Sequence, residues 1–395
     1  MFFFPLSKED IIKPPSLQMA LLLRNLFFRR SLCSTAINVP NVLFTKEDSR
    51  IFMAEFPNLV RELTFDDSIS RHLPLDVSKH LSKCIQYNVP HGKKTRGLAV
   101  LATYKHLVSE TKISNVSLKE AIVMGWCVEF LQAYFLIADD IMDGSTTRRQ
   151  HECWYKKNNI GLNAINDALL LETCVYQLLR NHFKSKPYYQ DCVDLFLEVN
   201  RMTTFGQSLD IMTSNKDSKP NLELYDMNRY ISLVKYKTSF YSTYLPVALG
   251  MKMCGVYDNE LYRQARTILL EMGHYFQVQD DYIDCFGDPK QTGKIGTDIQ
   301  DAKCSWLVVV ALQRANRQQK EILKSCYGST DEENVAKVKS VYKELKIPKI
   351  YATYEENTYK AIETNINQLS GGDQGIKLPP QLFKAFLNSI YRRHN

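Results

Sequence analysis

Two acidic boxes repeat one pattern about 140 residues apart in this chain of 395: Asp139-Asp140-Ile141-Met142-Asp143 and Asp280-Asp281-Tyr282-Ile283-Asp284. Each closes an apolar run of helical periodicity, 130–138 in one case and 272–279 in the other. Three carboxylates at the end of an apolar run are costly unless something cationic neutralises them. The first and last aspartates of each box, spaced i and i+4, share one face of a helix. Two such faces opposed across a cavity would form an all-oxygen cage suited to Mg²⁺. One such box is common on a solvated helix end. Two, each ending an apolar helix, are a specific signal.

Mg²⁺ in such a cage typically bridges carboxylates to substrate phosphates, so phosphate-binding cations should stand nearby. Thr147-Arg148-Arg149 follows the first box, and Thr292-Gly293-Lys294 with Lys303 follows the second. Lys235-Tyr236-Lys237-Thr238 lies between them, and Gly92-Lys93-Lys94-Thr95-Arg96 forms a basic loop at a helix start. Backbone N–H groups at a helix start also favour anions. Arginine forks suit phosphate geometry and lysine supplies point charge. Each basic pair alone reads as a solvated face; beside two acidic boxes they read as a diphosphate clamp. The loop 287–296 lacks both the spacing and the preceding strand of a P-loop, and no G-x-S-x-G or HExxH pattern occurs.

The elements that must carry these residues are helical. Periodic stretches run over roughly 46–62, 67–87, 95–109, 117–143, 163–183, 187–214, 223–250, 258–285, 300–317, 332–345 and 351–369. Ser117 and Asp226 suit N-caps, and Gly250 suits a helix stop. No alternating strand runs stand out. The expectation is an all-α, single-domain helical bundle around a central cavity, over residues 46–395. The net charge of +7 is modest and scattered, which argues against nucleic acid as a partner. Ten dispersed cysteines without metal spacing argue for a reducing compartment and no disulfide framework. No unbroken run of eighteen apolar residues is present, which argues against a transmembrane segment. Between Ile11 and Lys46 there is no acid, and Arg24, Arg29 and Arg30 stud an apolar stretch. Residues 1–45 therefore read as a mitochondrial transit peptide. Glu9 and Asp10 sit badly at such a start, so Met19 is an alternative initiator; initiation further downstream would leave a cytoplasmic protein.

Gly125-Trp126-Cys127-Val128-Glu129 through Asp143, with Thr147-Arg148-Arg149, resembles the first aspartate-rich motif of the farnesyl diphosphate synthase family. Phe276-Gln277-Val278-Gln279-Asp280-Asp281-Tyr282-Ile283-Asp284, with Phe286-Gly287-Asp288-Pro289 and Gly293-Lys294-Ile295-Gly296-Thr297-Asp298, resembles the second. The resemblance runs from about residue 50 to Tyr391-Arg392-Arg393, apart from a short insertion around 371–375. It implies a homodimeric isoprenoid-synthase bundle that joins isopentenyl diphosphate to an allylic diphosphate, with three Mg²⁺ ions in each site. It implies that Asp139, Asp143, Asp280 and Asp284 hold the metal, and that Arg148, Lys237, Lys294 and Lys303 clamp the allylic diphosphate. Thr238 and Gln277 would lie over the reacting carbon. Lys93, Arg96, Gln132 and Arg149 would bind isopentenyl diphosphate, and Asp210 would be a further acidic position in the cavity. Tyr134 and Phe135, just before the first box, would close the cavity floor and stop growth near about fifteen carbons, giving farnesyl diphosphate.

Four local departures from the family pattern stand out, one of them a dipeptide. His91 stands where glycine is usual, Thr95 where asparagine is, Gln150-His151 where Gly-Gln is, and Ala302 where asparagine is. Altered loops of this kind would be the trace of a terpene synthase of the same ancestry, which ionises and cyclises a prenyl diphosphate without the second substrate. Survival of Lys93, Arg96, Gln132 and Arg149 favours elongation. A non-catalytic partner subunit would have lost box residues, and both boxes are intact.

Overall fold

The computed structural model describes residues 43–65, 74–108, 114–214, 219–288, 296–372 and 376–391. These belong to one compact unit, Asn41–Asn395. The basic N-terminal segment, Lys294 and the tip of the 371–375 insertion lie outside the described residues.

Helices dominate. The N-terminal part comprises α1 (Lys46–Thr64), α2 (Leu75–Asn88), α3 (Thr95–Leu107), α4 (Asn115–Asp143), α5 (Ala164–Phe183) and α6 (Tyr189–Ser214). A continuous rod follows: α7 (Met227–Val234), a π-helix (Lys235–Tyr244) and α8 (Leu245–Met253). Then come α9 (Asn259–Phe286), α10 (Trp306–Arg314), α11 (Arg317–Cys326), α12 (Glu332–Glu344), α13 (Ile347–Asn367) and α14 (Pro380–Ile390).

Several expected boundaries shift, each for a local reason. Ser114, not Ser117, is the N-cap of α4; Ser117 sits three residues on and completes the reciprocal capping box. Asp226 caps α7 as expected, accepting from the Arg229 N–H at 2.7 Å. Gly250 does not stop its helix, which runs to Met253 and turns at Gly255. Instead Gly250 admits Thr103 of α3, whose side chain would lie 2.6 Å from any added Cβ. The stretch 300–317 yields α10 alone, because Asn316 caps a separate α11 with its own capping box. Helix α14 was not anticipated; Pro380 opens it at N1, where a missing N–H costs nothing.

A two-stranded ribbon was also unforeseen. β1 (Thr147–Arg148) pairs antiparallel with β2 (His151–Glu152). Four residues are too few to show an alternating pattern. The turn places Arg149 and Gln150 at φ 52° and 67°, the two left-handed positions of a type I′ hairpin.

Three apolar clusters meet at the long helices. One joins α1–α6 to the π-helix and α8, a second gathers α7 and α10–α13, and a third joins α3, α8, α9, α13 and α14. Helix α4 is long and apolar enough to cross a membrane, but most of it is buried in the first cluster. Helix α9 carries one face to each of the other two clusters. The acidic boxes lie near the C-terminal ends of these two helices, where unpaired carbonyls add to the negative field.

Candidate active site

Helical geometry splits each box in the same way. Asp139 and Asp143 lie half-buried one turn apart, whereas Asp140, about 100° round the helix, is buried. Asp280 and Asp284 are likewise half-buried and Asp281 is buried. The outer pair of each box is the more accessible, and the middle residue of each is built into the scaffold.

In the first box the β-ribbon delivers the scaffold partner. Arg148 donates to Asp140 through Nε at 2.9 Å and Nη2 at 2.6 Å, and to Asp139 at 3.2 Å. Lys237 of the π-helix donates to Asp139 at 3.0 Å and to Asp210 of α6 at 2.6 Å. Lys303, on the approach to α10, donates to both oxygens of Asp143, at 2.9 and 2.8 Å, and to Asp210 at 2.8 Å. Gln207 donates to Asp139 at 3.2 Å. Among the described residues, Asp139, Asp143 and Asp210 bring carboxylate oxygens within 4.8 Å of one another. An all-oxygen set without sulfur or imidazole suits a hard divalent cation such as Mg²⁺.

The electrostatics follow from burial and these cations. Burial alone would raise Asp139 and Asp210, but Lys237 with Arg148 and Lys303 outweighs it at Asp139, as does Lys237 with Lys303 at Asp210. Both are held below the usual carboxylate range, Asp210 far below. At Asp143 and Asp140 burial prevails and the carboxyl is pushed up, against the pull of Lys303 and Arg148 respectively. Burial would lower Lys237 and Lys303, yet their carboxylate partners raise both.

The π-helix is the keystone of the site. Helices α6 and α9 both approach it closely, and both do so at glycines. A Cβ on Gly206 would fall 2.1 Å from the Lys237 backbone nitrogen, and one on Gly273 would fall 2.5 Å from the Ser239 side chain. Such turns recur at functional sites. Here the π-helix presents Lys237 to the first box and Thr238 to the second. Thr238 Oγ1 donates to Gln277 Oε1 at 3.1 Å, and Gln277 Nε2 donates to Asp281 at 2.9 Å.

Asp281 has a different environment from Asp140. It accepts from the Tyr230 hydroxyl and from the Trp306 N–H, each at 2.7 Å. Burial pushes its carboxyl up to about 7, against these hydrogen bonds. Asp284 accepts from the Asp298 N–H at 3.1 Å, tying the loop after α9 back to the helix. Asp280 and Asp284 stand outside the group formed by Asp139, Asp143 and Asp210.

The loop before α3 meets the β-ribbon. Arg149 donates to the His91 carbonyl and, at 3.5 Å, to Gln132. Its guanidinium packs against Gly92, whose φ of 91° is a backbone conformation that favours glycine. Arg96 donates to Ser242 at 3.0 and 2.7 Å, and its guanidinium lies 4.8 Å from the centre of the Tyr241 ring. Lys93 is exposed on the same loop. Tyr134 and Phe135 are half-buried with ring centres 4.7 Å apart, and Phe135 reaches Tyr241 at 5.7 Å.

Sequence reasoning placed Asp210 only as a further acidic position, but the fold makes it the bridge between Lys237 and Lys303. It missed Lys94, a buried lysine that donates to the carbonyls of Val89 and His91 and to Glu129. Burial lowers Lys94 to about 8. The basic loop showed the charges without telling which lysine turns inward. It also missed Tyr225 and Tyr327, whose hydroxyls donate at 2.6 Å to the carbonyls of Ala302 and Lys303 and so position the Lys303 turn.

Comparison with known proteins agrees with this geometry. The profile of the family described as Polyprenyl synthetase matches residues 78–345. The chain is 48% identical over 365 residues to the farnesyl pyrophosphate synthase of Nezara viridula, covering 92% of this chain and 87% of that one. It is 46% identical over 347 residues to the farnesyl pyrophosphate synthase of Homo sapiens, covering 88% and 81%. The fold is similar to a T. brucei farnesyl diphosphate synthase complexed with risedronate, with a TM-score of 0.78 and 31% identity over 88% of this chain and 100% of that one.

Proposed function

This chain belongs to the polyprenyl synthetase family and is a trans-prenyltransferase, and we propose that it condenses isopentenyl diphosphate with dimethylallyl and geranyl diphosphates to give farnesyl diphosphate. The observation that carries this reading is the joint presence of two sites. One is the acidic cluster with its lysines; the other is the Arg149–Gln132–His91 knot beside Lys93 and Arg96. A cyclising enzyme needs only the first.

Asp139 and Asp143, with Asp280 and Asp284 from the second box, would hold about three Mg²⁺ ions; the oxygen-only donor set around Asp210 fits this metal. Bound Mg²⁺ supplies charge that stabilises a departing diphosphate. Arg148, Lys237 and Lys303, joined by Lys294, would turn from their carboxylates to the allylic diphosphate and draw off its charge as the C–O bond breaks. The Thr238 hydroxyl and the Gln277 carbonyl, linked at 3.1 Å, would face the resulting allylic cation with their oxygens. Lys93, Arg96, Gln132 and Arg149 would hold isopentenyl diphosphate so that its double bond attacks that cation. A proton then leaves, and the product is one isoprene unit longer. The Tyr134–Phe135–Tyr241 aromatic group would exclude water and bound product length.

The test is incubation of the purified protein and Mg²⁺ with geranyl diphosphate, with and without isopentenyl diphosphate, and separately with farnesyl diphosphate alone. In the geranyl diphosphate incubations, farnesol released by phosphatase only when isopentenyl diphosphate is also present is the expected result. Hydrocarbons or terpene alcohols from farnesyl diphosphate alone, without phosphatase, would overturn elongation in favour of cyclisation.

Two further readings belong to this proposal. Ile165 and Leu169 on α5, with Leu197, Phe205, Ile211 and Met212 on α6, are exposed apolar residues, and they support a homodimer. The arginine-studded composition of residues 1–45, free of acid from Ile11 onward, supports mitochondrial targeting ahead of a catalytic domain over 46–395. Fusion of residues 1–45 to a fluorescent protein tests the targeting; diffuse cytoplasmic signal would refute it.

A further inference from the structure

Two imidazole rings that have no role in the reaction described above face each other at the edge of the second-substrate loop. The imidazoles of His91 and His151 lie with ring centres 4.9 Å apart, tilted by 42°. One belongs to the loop before α3 and the other to the β-ribbon, so the contact joins the two segments that supply Lys93, Arg96 and Arg149. His91 is central to that junction, because its carbonyl accepts from both Arg149 and Lys94. Both rings line one cleft with Arg148 and Arg149.

The surrounding field is cationic. From the loop before α3 come Lys93 and Lys94, and from the ribbon Arg148, Arg149 and Glu152. Helix α4 presents Asp140 and Glu129, but Arg148 holds the first, and Lys94 and the Gly97 N–H hold the second. Helix α2 presents Tyr87, whose ring lies edge-on to His151 at 6.4 Å, with the Lys157 ammonium 4.6 Å from its ring centre. Burial, His151, Lys94 and Arg149 together push the His91 imidazole below its ordinary value. A diphosphate seated on Arg149 and Lys93 would bring several negative charges into this space and reverse the sign of the field. An imidazole is the group most readily recharged near neutral pH by such a reversal.

We propose that His91 and His151 form part of the isopentenyl diphosphate site, and that the pair takes up a proton as the diphosphate docks. This rests on the reading of Lys93, Arg96, Gln132 and Arg149 as that site. The proton comes from solvent and stays on an imidazole nitrogen, adding a cation beside the Arg149 guanidinium. Isopentenyl diphosphate binding should therefore tighten as pH falls toward the ordinary histidine range, and allylic diphosphate binding should not follow it.

The test compares the full-length wild-type protein with His91→Gln/His151→Gln, which keeps polar side chains of similar size but cannot titrate near neutrality. Calorimetric titration with isopentenyl diphosphate near pH 7, in two buffers of different ionisation enthalpy, counts protons taken up. The wild type should take up about half a proton or more beyond the double variant. Between about pH 6 and pH 8 the KM for isopentenyl diphosphate should rise about threefold or more further in the wild type than in the variant. The KM for geranyl diphosphate should show no such difference. Substrate phosphate ionisation affects both proteins equally and cancels in the comparison. Equal proton uptake with parallel pH profiles would overturn the proposal while leaving the prenyltransferase reading intact. Failure of the wild type to bind isopentenyl diphosphate at all would overturn that reading and this proposal with it. Single variants His91→Gln and His151→Gln, checked for unchanged thermal unfolding, give the same readout should the double variant fold poorly.

Discussion

The two acidic boxes share a residue pattern and a place near the C-terminal end of a long helix, yet their buried middle carboxylates are held in opposite ways. Asp140 is met by a guanidinium from a four-residue ribbon. Asp281 is met by a phenol, a main-chain N–H and a carboxamide, none of them charged. The outer carboxylates differ as well. Those of the first box share two lysines with Asp210, whereas Asp284 of the second braces the loop that follows its helix. The same motif thus serves as a preformed ionic network in one place and as a neutral, hydrogen-bonded scaffold in the other. What links them is the π-helix, with Lys237 on one side and Thr238 on the other.

The largest expected effect removes the outer carboxylates. Asp139→Ala and Asp280→Ala should each lower turnover by about 10²–10³-fold or more in a product assay. Near-normal rates in either variant would break the shared-site reading of the boxes. Asp139→Ala should also lower the thermal midpoint of metal-free protein, because Lys237 then keeps Asp210 alone as a carboxylate partner.

Next in size is the link itself. Gly206→Ala forces a methyl group onto the Lys237 backbone and should destabilise the protein by about 3 kcal/mol in denaturant unfolding. It should also depress kcat by moving Lys237 and Thr238 together. Unchanged stability would mean that the close approach of α6 is not required.

The two boxes should also respond differently to pH. Burial raises Asp281 to about 7 in the folded protein from an ordinary value of 3.8. Because its pKa is raised on folding, the stability from Asp281 is complete below about pH 4 and is lost as pH rises to about 7. Asp139 is lowered, so its contribution is present above its ordinary value and is lost on acidification. Asp281→Asn should therefore flatten the stability profile of metal-free protein between about pH 5 and pH 7, by on the order of 2 kcal/mol relative to wild type. Parallel unfolding profiles for the two proteins would show that the scaffold carboxylate does not titrate in that window.

The smallest effect concerns the ribbon that serves the first box. Gln150 is exposed at φ 67°, a conformation that costs a residue with a Cβ about 1 kcal/mol. Gln150→Gly should relieve that strain and stabilise the protein by up to about 1 kcal/mol, less the entropy of the added glycine. A lower melting temperature in the glycine variant would show that the side chain contributes more than its strain costs.

Much of this protein is legible in its residues. Local periodicity is a property of the chain itself, so the long helices and the i, i+4 faces of both boxes follow from the sequence. So does the presence of phosphate-binding cations, because charge is read directly from residue type. The cap at Asp226 is local too, whereas the backbone moved the expected cap at Ser117 to Ser114, three residues earlier. The π-helix did not follow, because Lys235–Tyr244 has no local signal that distinguishes a wider turn from an ordinary one; Gly206 and Gly273, on different helices, admit it. Nor did the inward turn of Lys94 or the bridging role of Asp210, since each depends on partners 35 and 93 residues away. The carboxylates and cations were set by the sequence; which cation meets which carboxylate was decided by packing, because ion pairs across a bundle depend on distances that only the folded helices define.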